Sequence, residues 1–215
     1  MYKRQLPQKF KDILPYKNFL DIGSGGGKAS IHHLQNFFGV NTKIILSDLY
    51  PKVEQWQQIR NTNVSYISEK VTVDTVSQHI VSGYNMSLFG SLHHMDESTI
   101  HSLYKICSER DTCLFIVEPR RFPFFIQYLH IISLPFIGLV LYTMISICGS
   151  GNILKNNILL ALKRILTVPF FMTTDHIIGA SRRYSLKEIS DISYNYGLTV
   201  YHHYDLTFDY YIIKK

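Results

Sequence analysis

Short apolar runs alternate with longer polar stretches over the first half of the chain. The runs are rich in β-branched and aromatic residues and are bounded by turn-forming residues, which is typical of buried strands. They cover residues 18–23, 42–48, 64–67, 85–90 and 113–118. Because each interval between them is long enough for a crossover helix, the pattern predicts an α/β fold with a doubly wound, mostly parallel sheet.

The C-terminal residues follow a different pattern. Ser185 and Glu188 form a capping box that begins a helix, and Gly197 suits the left-handed position at its end. Residues 198–204 and 208–213 are two further runs joined by a very short turn, which predicts a closing antiparallel hairpin. The whole sheet is therefore expected to have seven strands, with ligands bound beyond the carboxyl ends of the parallel ones.

Length, charge and cysteine content narrow the class of protein. A chain of 215 residues suits one domain, or one domain with a large insertion. The net charge of +6 is a mild basic excess that does not indicate nucleic acid. The three cysteines form no CxxC pair, so neither a disulfide framework nor a metal site is predicted. The N-terminus lacks the apolar stretch of a secretory signal, and a cytoplasmic location is expected.

A glycine-rich segment, LDIGSGGGKAS at residues 20–30, directly follows the first predicted strand. A phosphate loop requires GxxxxGK followed by Ser or Thr, but Gly27 and Lys28 are followed by Ala29. A dinucleotide fingerprint requires GxGxxG, but its third glycine would fall at Lys28. What remains is an acid near the strand end followed by alternate glycines, namely Asp21, Gly23, Gly25 and Gly27.

This remaining pattern resembles motif I of the class I S-adenosylmethionine-dependent methyltransferases. Two more acids are in register with that family, because Asp48 stands at the end of the second predicted strand and Asp74 near the end of the third. Residues 88–95, with their His-His pair, are similar to the segment after the fourth strand of many small-molecule methyltransferases. The resemblance covers roughly residues 18–119 and 182–215.

The resemblance implies S-adenosylmethionine as the cofactor and assigns roles to particular residues. Asp48 is implied to accept both ribose hydroxyls, Asp74 to receive the adenine amino group, and Phe89 to contact adenine. A ligand with a sulfonium charge and ribose hydroxyls but no phosphate suits carboxylates and a closely approaching backbone. The full implied cofactor set is Asp21, Gly23, Ser24, Gly25, Gly27, Asp48, Leu49, Asp74, Thr75 and Phe89.

Plainer interpretations stay open for several of these residues. An acid at a strand end is often a helix cap or a turn residue, and this applies to Asp74 more than to Asp48. His93 and His94 are candidates for the base that takes a proton from the acceptor, but they precede a potential N-cap, Asp96, and can also serve in packing. Motifs of DNA-base methyltransferases are missing from the sequence, so that activity is disfavoured.

The largest departure from a plain methyltransferase core is a hydrophobic insertion, predicted to be α-helical, at residues 120–174. The core is predicted to consist of residues 1–119 and 175–215. Within the insertion, residues 122–148 contain no Asp, Glu, Lys or Arg, which meets the criterion of about 20 apolar residues for a membrane span. The mid-segment Pro135 fits a bent hairpin equally well.

Three interpretations of the insertion stay open: a helical lid over the active site, a surface that dips into one leaflet, and a transmembrane hairpin. A lid with peripheral contact to the inner face of a membrane is favoured, since only about 17 residues precede the first strand and cannot form a substrate cap. Such a lid predicts a hydrophobic acceptor. Arg182, Arg183 and Tyr184, where the chain returns to the core, are candidates for contact with an anionic group of the substrate.

The sequence therefore predicts methyl transfer from S-adenosylmethionine to a hydrophobic small molecule or lipid-like acceptor. Two other classes stay open. One is a membrane-associated binding protein with a methyltransferase fold and no turnover, and the other is a nucleotide-dependent oxidoreductase on a related sheet. No oligomeric state is predicted.

Overall fold

The computed structural model describes residues 6–120 and 184–215 of the chain. These residues belong to one compact unit, which the chain leaves at Arg120 and re-enters at Tyr184. The predicted insertion lies almost entirely outside the described residues, as do its apolar segment at residues 122–148 and the two candidates Arg182 and Arg183. Within the described ranges, no helix combines the length and the hydrophobicity needed to cross a membrane.

The described residues form six α-helices, one short 3₁₀ helix and seven strands. The helices are α1 (Gln8–Lys11), α2 (Lys28–Phe38), α3 (Val53–Trp56), α4 (Val73–His79), α5 (Glu97–Glu109) and α6 (Leu186–Tyr194), and the 3₁₀ helix η1 covers Leu92–His94. The strands are β1 (Asn18–Ile22), β2 (Ile44–Ser47), β3 (Val64–Tyr66), β4 (Tyr84–Phe89), β5 (Leu114–Pro119), β6 (Thr199–Tyr204) and β7 (Phe208–Lys214).

All seven strands belong to one sheet, in the order β3-β2-β1-β4-β5-β7-β6. Central strand β1 pairs in parallel with β2 and β4, so that Leu20 lies opposite Ile45 on one side and Met86 on the other. β3 and β5 extend this parallel part in both directions. The predicted doubly wound sheet is confirmed. Its strand order reverses between β1 and β4, which places a ligand crevice at their carboxyl ends.

The C-terminal hairpin is also confirmed. The Ser185 side chain accepts the backbone N–H of Glu188 while the Glu188 carboxylate accepts that of Ser185, so the capping box begins α6 as predicted. Gly197 has a φ of +65°. β7 pairs antiparallel with both β5 and β6, and of the seven described strands it alone runs opposite to the others.

Hydrophobic residues cover both faces of the sheet. On one face the core includes residues of α4, α5 and α6, with Val76, Ile100 and Ile189 among them. On the other face it includes residues of α1, α2 and α3. Phe19 and Leu20 of β1 belong to opposite faces, because successive side chains of a strand alternate. Burial on both sides explains why the parallel strands read as continuous apolar runs.

Candidate functional site

The loop between β1 and α2, residues 23–27, depends on glycine geometry. Gly23, Gly25 and Gly27 have φ values of 69°, 53° and 76°, in the left-handed region that a Cβ atom disfavours. A Cβ on Gly27 would also lie 2.7 Å from Cδ1 of Leu46 in β2. The loop thus passes close to β2 before α2 begins, and it leaves the first N–H groups of that helix at the ligand edge of the sheet.

Asp21 is a fully buried residue of β1. Its Oδ1 accepts a hydrogen bond of 2.9 Å from the Ser87 hydroxyl in β4, whereas its Oδ2 has no partner among the described residues. Burial raises the pKa of Asp21 to about 6. A buried carboxyl oxygen without a partner is costly in a folded protein, so Asp21 retains a hydrogen-bonding capacity that a ligand can use.

Two serines fix the chain around Asp21. The hydroxyls of Ser24 and Ser47 both donate to the Asp21 carbonyl oxygen, at 3.0 and 2.8 Å. The Ser24 N–H donates to the Ser47 carbonyl at 2.9 Å, and the Ser47 N–H donates to the Ser24 hydroxyl at 3.1 Å. The side chain of Ser24, a predicted cofactor residue, therefore shapes the loop.

Asp48 directly follows β2, as predicted, and its half-buried carboxylate faces the glycine loop. Oδ2 accepts the Gly25 N–H at 2.7 Å and Oδ1 accepts the Tyr50 N–H at 2.8 Å. Each carboxylate oxygen has a further lone pair, so Asp48 can still accept hydroxyl groups. Leu49 lies beside it and is 41% exposed. The structure therefore brings Asp48, Leu49 and the glycine loop to one edge of the sheet.

His93 in η1 forms a buried pair with Glu118 of β5. Its Nδ1 lies 2.8 Å from Oε2 of Glu118, and the two side chains are 9% and 8% exposed. Oε1 of the same carboxylate accepts the Leu92 N–H at 2.7 Å. An ionised carboxylate only accepts hydrogen bonds, so a neutral ring that pairs with it donates from Nδ1 and has its lone pair at Nε2.

Strand register explains why this pair forms. Phe89, the last residue of β4, lies opposite Val117 of β5, and the Gly90 N–H donates to the Val117 carbonyl at 2.8 Å. The segment after β4 and the acid near the end of β5 therefore share the carboxyl edge of the sheet. His94 lies in the same segment, with its ring centroid 4.0 Å from that of His93, but it is exposed. The two predicted base candidates thus occupy different environments.

Ser91 connects this segment to the glycine loop. Its hydroxyl is buried and has no partner among the described residues. A Cβ atom on Gly23 would lie 3.4 Å from Ser91 Cβ and 3.5 Å from Ser91 Oγ, so the two segments are neighbours. Asp21 Oδ2 and Ser91 Oγ are then two buried polar atoms without partners that belong to adjoining parts of the site.

The prediction that Asp74 lies near the end of the third strand is wrong. β3 ends at Tyr66, and Asp74 is exposed in the first turn of α4. That helix begins with a capping box in which the Thr72 hydroxyl accepts the Thr75 N–H and the Thr75 hydroxyl accepts the Thr72 N–H. Thr75 replaces the usual Glu or Gln of such a box, which hid the helix start. Adenine binding by Asp74 and Thr75 stays a prediction.

The other predicted residues lie in mixed surroundings. The ring of Phe89 packs in the core on the α2 side of the sheet, 5.9 Å from the His33 ring and 6.1 Å from the Phe115 ring. Tyr184 is half-buried, and its hydroxyl donates to the Met95 carbonyl oxygen at 3.4 Å, next to the segment that holds His93. Contacts of Phe89 with a cofactor and of Tyr184 with a substrate stay predictions.

No protein-family model matches the sequence, and no curated protein matches it either. Solved structures do match. Human N-acetylserotonin methyltransferase in complex with S-adenosylmethionine gives a TM-score of 0.55 at 10% identity, over 93% of this chain and 48% of that one. The O-methyltransferase NcsB1 from neocarzinostatin biosynthesis, in complex with S-adenosyl-L-homocysteine and 1,4-dihydroxy-2-naphthoic acid, gives 0.53 at 11%, over 92% and 49%. The methyltransferase domain of a bacterial Hen1 gives 0.52 at 12%, over 96% and 94%.

The strand order and these matches agree. The chain has the class I methyltransferase fold. It spans about half the length of the first two of these proteins and nearly all of the third. At identities of 10–12%, these similarities establish the fold alone. The role of each residue has to be argued from the geometry described above.

The sequence did not identify three residues that lie at the candidate site of this methyltransferase fold. Glu118 ends the fifth predicted run, so placing the strand ends side by side in the doubly wound order would have set it next to the histidine pair. Ser91 carries no signal beyond its position after β4. Trp56, which is the single tryptophan, donates its indole N–H to the Gly25 carbonyl oxygen at 2.9 Å, and only the folded chain reveals this contact.

Proposed function

We propose that the protein transfers the methyl group of S-adenosylmethionine to a hydroxyl oxygen of a hydrophobic small molecule. The observation that carries this proposal is the buried His93–Glu118 pair, which lies 2.8 Å apart at the same sheet edge as the glycine loop. A cofactor loop alone suits many reactions. A histidine held by a carboxylate beside it adds a group that can take the proton of a hydroxyl acceptor.

The residues at this edge fit S-adenosylmethionine. Gly25 has open space where a Cβ would lie, which leaves room for close approach of the ligand to the main chain. Asp48 would accept ribose hydroxyls, and Asp21, whose buried Oδ2 lacks a partner, would complement the positive charge of the amino acid portion. Two proteins of the same fold were solved with S-adenosylmethionine or S-adenosyl-L-homocysteine, which supports this assignment.

When bound, S-adenosylmethionine supplies an electrophilic methyl group on a positively charged sulfur. The protein must then orient the acceptor, exclude water and remove a proton. His93 is the proposed base, because its Nε2 is the nitrogen without a proton when Nδ1 donates to Glu118. Glu118 holds the ring in that tautomer and stabilises the imidazolium that forms when the acceptor proton arrives.

A hydrophobic acceptor is proposed from the composition of the chain. Residues 122–148 contain no charged side chain, and Leu49 and Tyr50 are 41% and 73% exposed at the cofactor edge. NcsB1, of the same fold, was solved with 1,4-dihydroxy-2-naphthoic acid, an aromatic compound with hydroxyl groups. The proposed substrate classes are a lipid, a quinone precursor or a polyketide-like molecule. Contact of residues 122–148 with a membrane surface stays a prediction.

Labelled methyl transfer tests the proposal directly. The protein is incubated with S-adenosylmethionine carrying a labelled methyl group and with phenols of increasing alkyl-chain length, and the labelled product and S-adenosyl-L-homocysteine are quantified. We expect methyl ethers, with kcat/KM rising along the alkyl series. Equal rates for charged, short phenols would contradict the hydrophobic acceptor. Tight cofactor binding without product from any phenol, amine or thiol would favour a binding protein instead.

A further inference from the structure

Trp56 makes a direct hydrogen bond to the glycine loop. It ends α3, is 2% exposed, and donates its indole N–H to the Gly25 carbonyl oxygen at 2.9 Å. The indole nitrogen is a donor only, so the contact has a fixed direction. A buried indole N–H usually finds a hydrogen-bond partner. Here the polar edge of the ring is directed at the main chain of the predicted cofactor loop.

The peptide groups on both sides of Gly25 form hydrogen bonds to the segment that follows β2 and includes α3. The Gly25 N–H donates to Asp48 at 2.7 Å, and the Gly25 carbonyl accepts from Trp56 at 2.9 Å. Gly25 has a φ of 53° and no atom within 4 Å of the position where a Cβ would lie. The space beside its Cα is therefore open, and the two hydrogen bonds hold the peptide groups on its two sides.

Neighbouring residues of the same segment also face the loop. A Cβ on Gly26 would lie 3.2 Å from Gln55 Oε1, and a Cβ on Gly27 would lie 3.5 Å from Ile59 Cδ1. Residues 48–59 thus line one side of the glycine loop. Within this segment, Trp56 donates a hydrogen bond from its buried aromatic ring to the Gly25 carbonyl oxygen.

We infer that Trp56 is a positioning residue for the cofactor: its indole N–H sets the orientation of the Gly25 peptide, and with it the placement of Asp48 toward the ribose. This inference rests on the proposed function. Loss of the N–H leaves the Gly25 carbonyl unpaired and releases the loop, so cofactor affinity falls. The reacting groups are elsewhere, and kcat at saturating cofactor stays unchanged.

The single tryptophan allows a clean test. Expression in a tryptophan auxotroph replaces Trp56 by β-(3-benzothienyl)alanine, in which sulfur takes the place of the N–H while the ring shape is retained. We expect the dissociation constant for S-adenosyl-L-homocysteine to rise about 10-fold, the effect of one lost hydrogen bond. Incorporation of 5-fluorotryptophan, which keeps the N–H, should preserve the affinity. Trp56→Phe should weaken binding in the same direction.

Tyr66→Phe is the matched control, because the Tyr66 ring lies 5.9 Å from that of Trp56 without a hydrogen bond to the loop. It should leave the affinity within a factor of about two, below one hydrogen bond. Equal affinity of the benzothienyl and fluorinated proteins overturns the inference. A fall in thermal stability with no change in affinity, measured well below the unfolding temperature, also overturns it and leaves Trp56 a packing residue.

A second readout separates this inference from the proposed function. The indole N–H gives a single ¹H–¹⁵N signal in NMR, and a hydrogen bond to Gly25 predicts slow exchange with solvent in the free protein. Fast exchange overturns the inference whatever ligand binds. Slow exchange in a protein that does not bind S-adenosylmethionine at millimolar concentration would refute the proposed function, and with it the cofactor role of Trp56, while the loop contact stands.

Discussion

His93 and His94 are adjacent in sequence but differ in surroundings, and this difference leads to a prediction. His93 is paired with Glu118 in the interior, whereas His94 is exposed. His93→Gln is expected to lower kcat by about 10²- to 10⁴-fold, the usual contribution of a general base. His94→Gln, the matched control, should retain most of the activity. Steady-state kinetics with S-adenosylmethionine and the best phenol measure both.

Glu118→Gln examines the orientation of the ring at the same site. The amide oxygen can still accept the Leu92 N–H, while the amide NH₂ faces Nδ1 and favours the tautomer whose proton lies on Nε2. We expect kcat to fall about as far as in His93→Gln, with the dissociation constant for the cofactor unchanged. A variant with full turnover would show that His93 is not the base.

Asp21 predicts a pH-dependent stability. Its pKa is about 6 in the folded protein against 3.8 for an ordinary aspartate. Well below pH 3.8 the carboxyl is protonated in both states. As the pH rises, the unfolded chain loses this proton first, so the contribution of Asp21 to folding falls between pH 4 and pH 6 and stays low above pH 6.

Asp21→Asn removes this dependence. The free energy of unfolding of the variant minus that of the wild type should increase by roughly 2 kcal/mol between pH 4 and pH 7. Urea denaturation at several pH values measures this difference, and the change with pH is informative even if the amide packs poorly. A difference that is constant over this range would contradict burial of an ionisable group at residue 21.

At the scale of elements, the junction between the glycine loop and α2 is where backbone geometry matters most. Gly27 has a φ of 76°, and a Cβ there would lie 2.7 Å from Leu46 Cδ1. Gly27→Ala is expected to lower the free energy of unfolding by about 1–3 kcal/mol. Gly26 does not have a positive φ, and a Cβ there would meet only the end of the flexible Gln55 side chain. Gly26→Ala should therefore cost clearly less in urea denaturation, and equal losses would contradict this account of the junction.

Element positions could largely be predicted from the sequence, because the physical signals were local. Burial on both faces made β1 and β5 continuous apolar runs, and the Ser185 capping box marked the start of α6. The prediction failed where a signal was weak. Thr75 in place of Glu or Gln gave no familiar capping signal at the start of α4, and the family resemblance placed Asp74 near a strand end.

At the scale of the whole molecule, the tertiary fold brings together site residues that no local sequence pattern identifies. Glu118 reaches His93 because β5 lies beside β4 in the sheet, and Trp56 reaches Gly25 because α3 folds back along the loop. The participants of each pair are separated by 25 and 31 residues, so no short motif contains both. The glycines and Asp48 were predictable because they are consecutive with strands. Residues that are distant in sequence, such as Glu118 and Trp56, could be assigned to the site only from the folded structure.

The choice between a methyltransferase and a nucleotide-dependent oxidoreductase also belongs to the whole molecule, since both use a doubly wound sheet. A ligand that binds only the folded state adds to its stability, by about 4 kcal/mol at a thousand-fold excess over the dissociation constant. We expect S-adenosyl-L-homocysteine to raise the unfolding temperature and NADH to leave it unchanged. This measurement requires no knowledge of the acceptor.

Asp48→Asn sharpens the same experiment. An amide replaces one of the two oxygens that accept the Gly25 and Tyr50 N–H groups, and it loses the negative charge that favours ribose hydroxyls. Stabilisation by S-adenosyl-L-homocysteine should then largely disappear, whereas Asp191→Asn, at an exposed site on α6, should keep it. Stabilisation of the wild type by NADH alone, lost in Asp48→Asn, would instead assign the ribose of a nicotinamide cofactor to this carboxylate, because an acid at the end of β2 can accept either ribose.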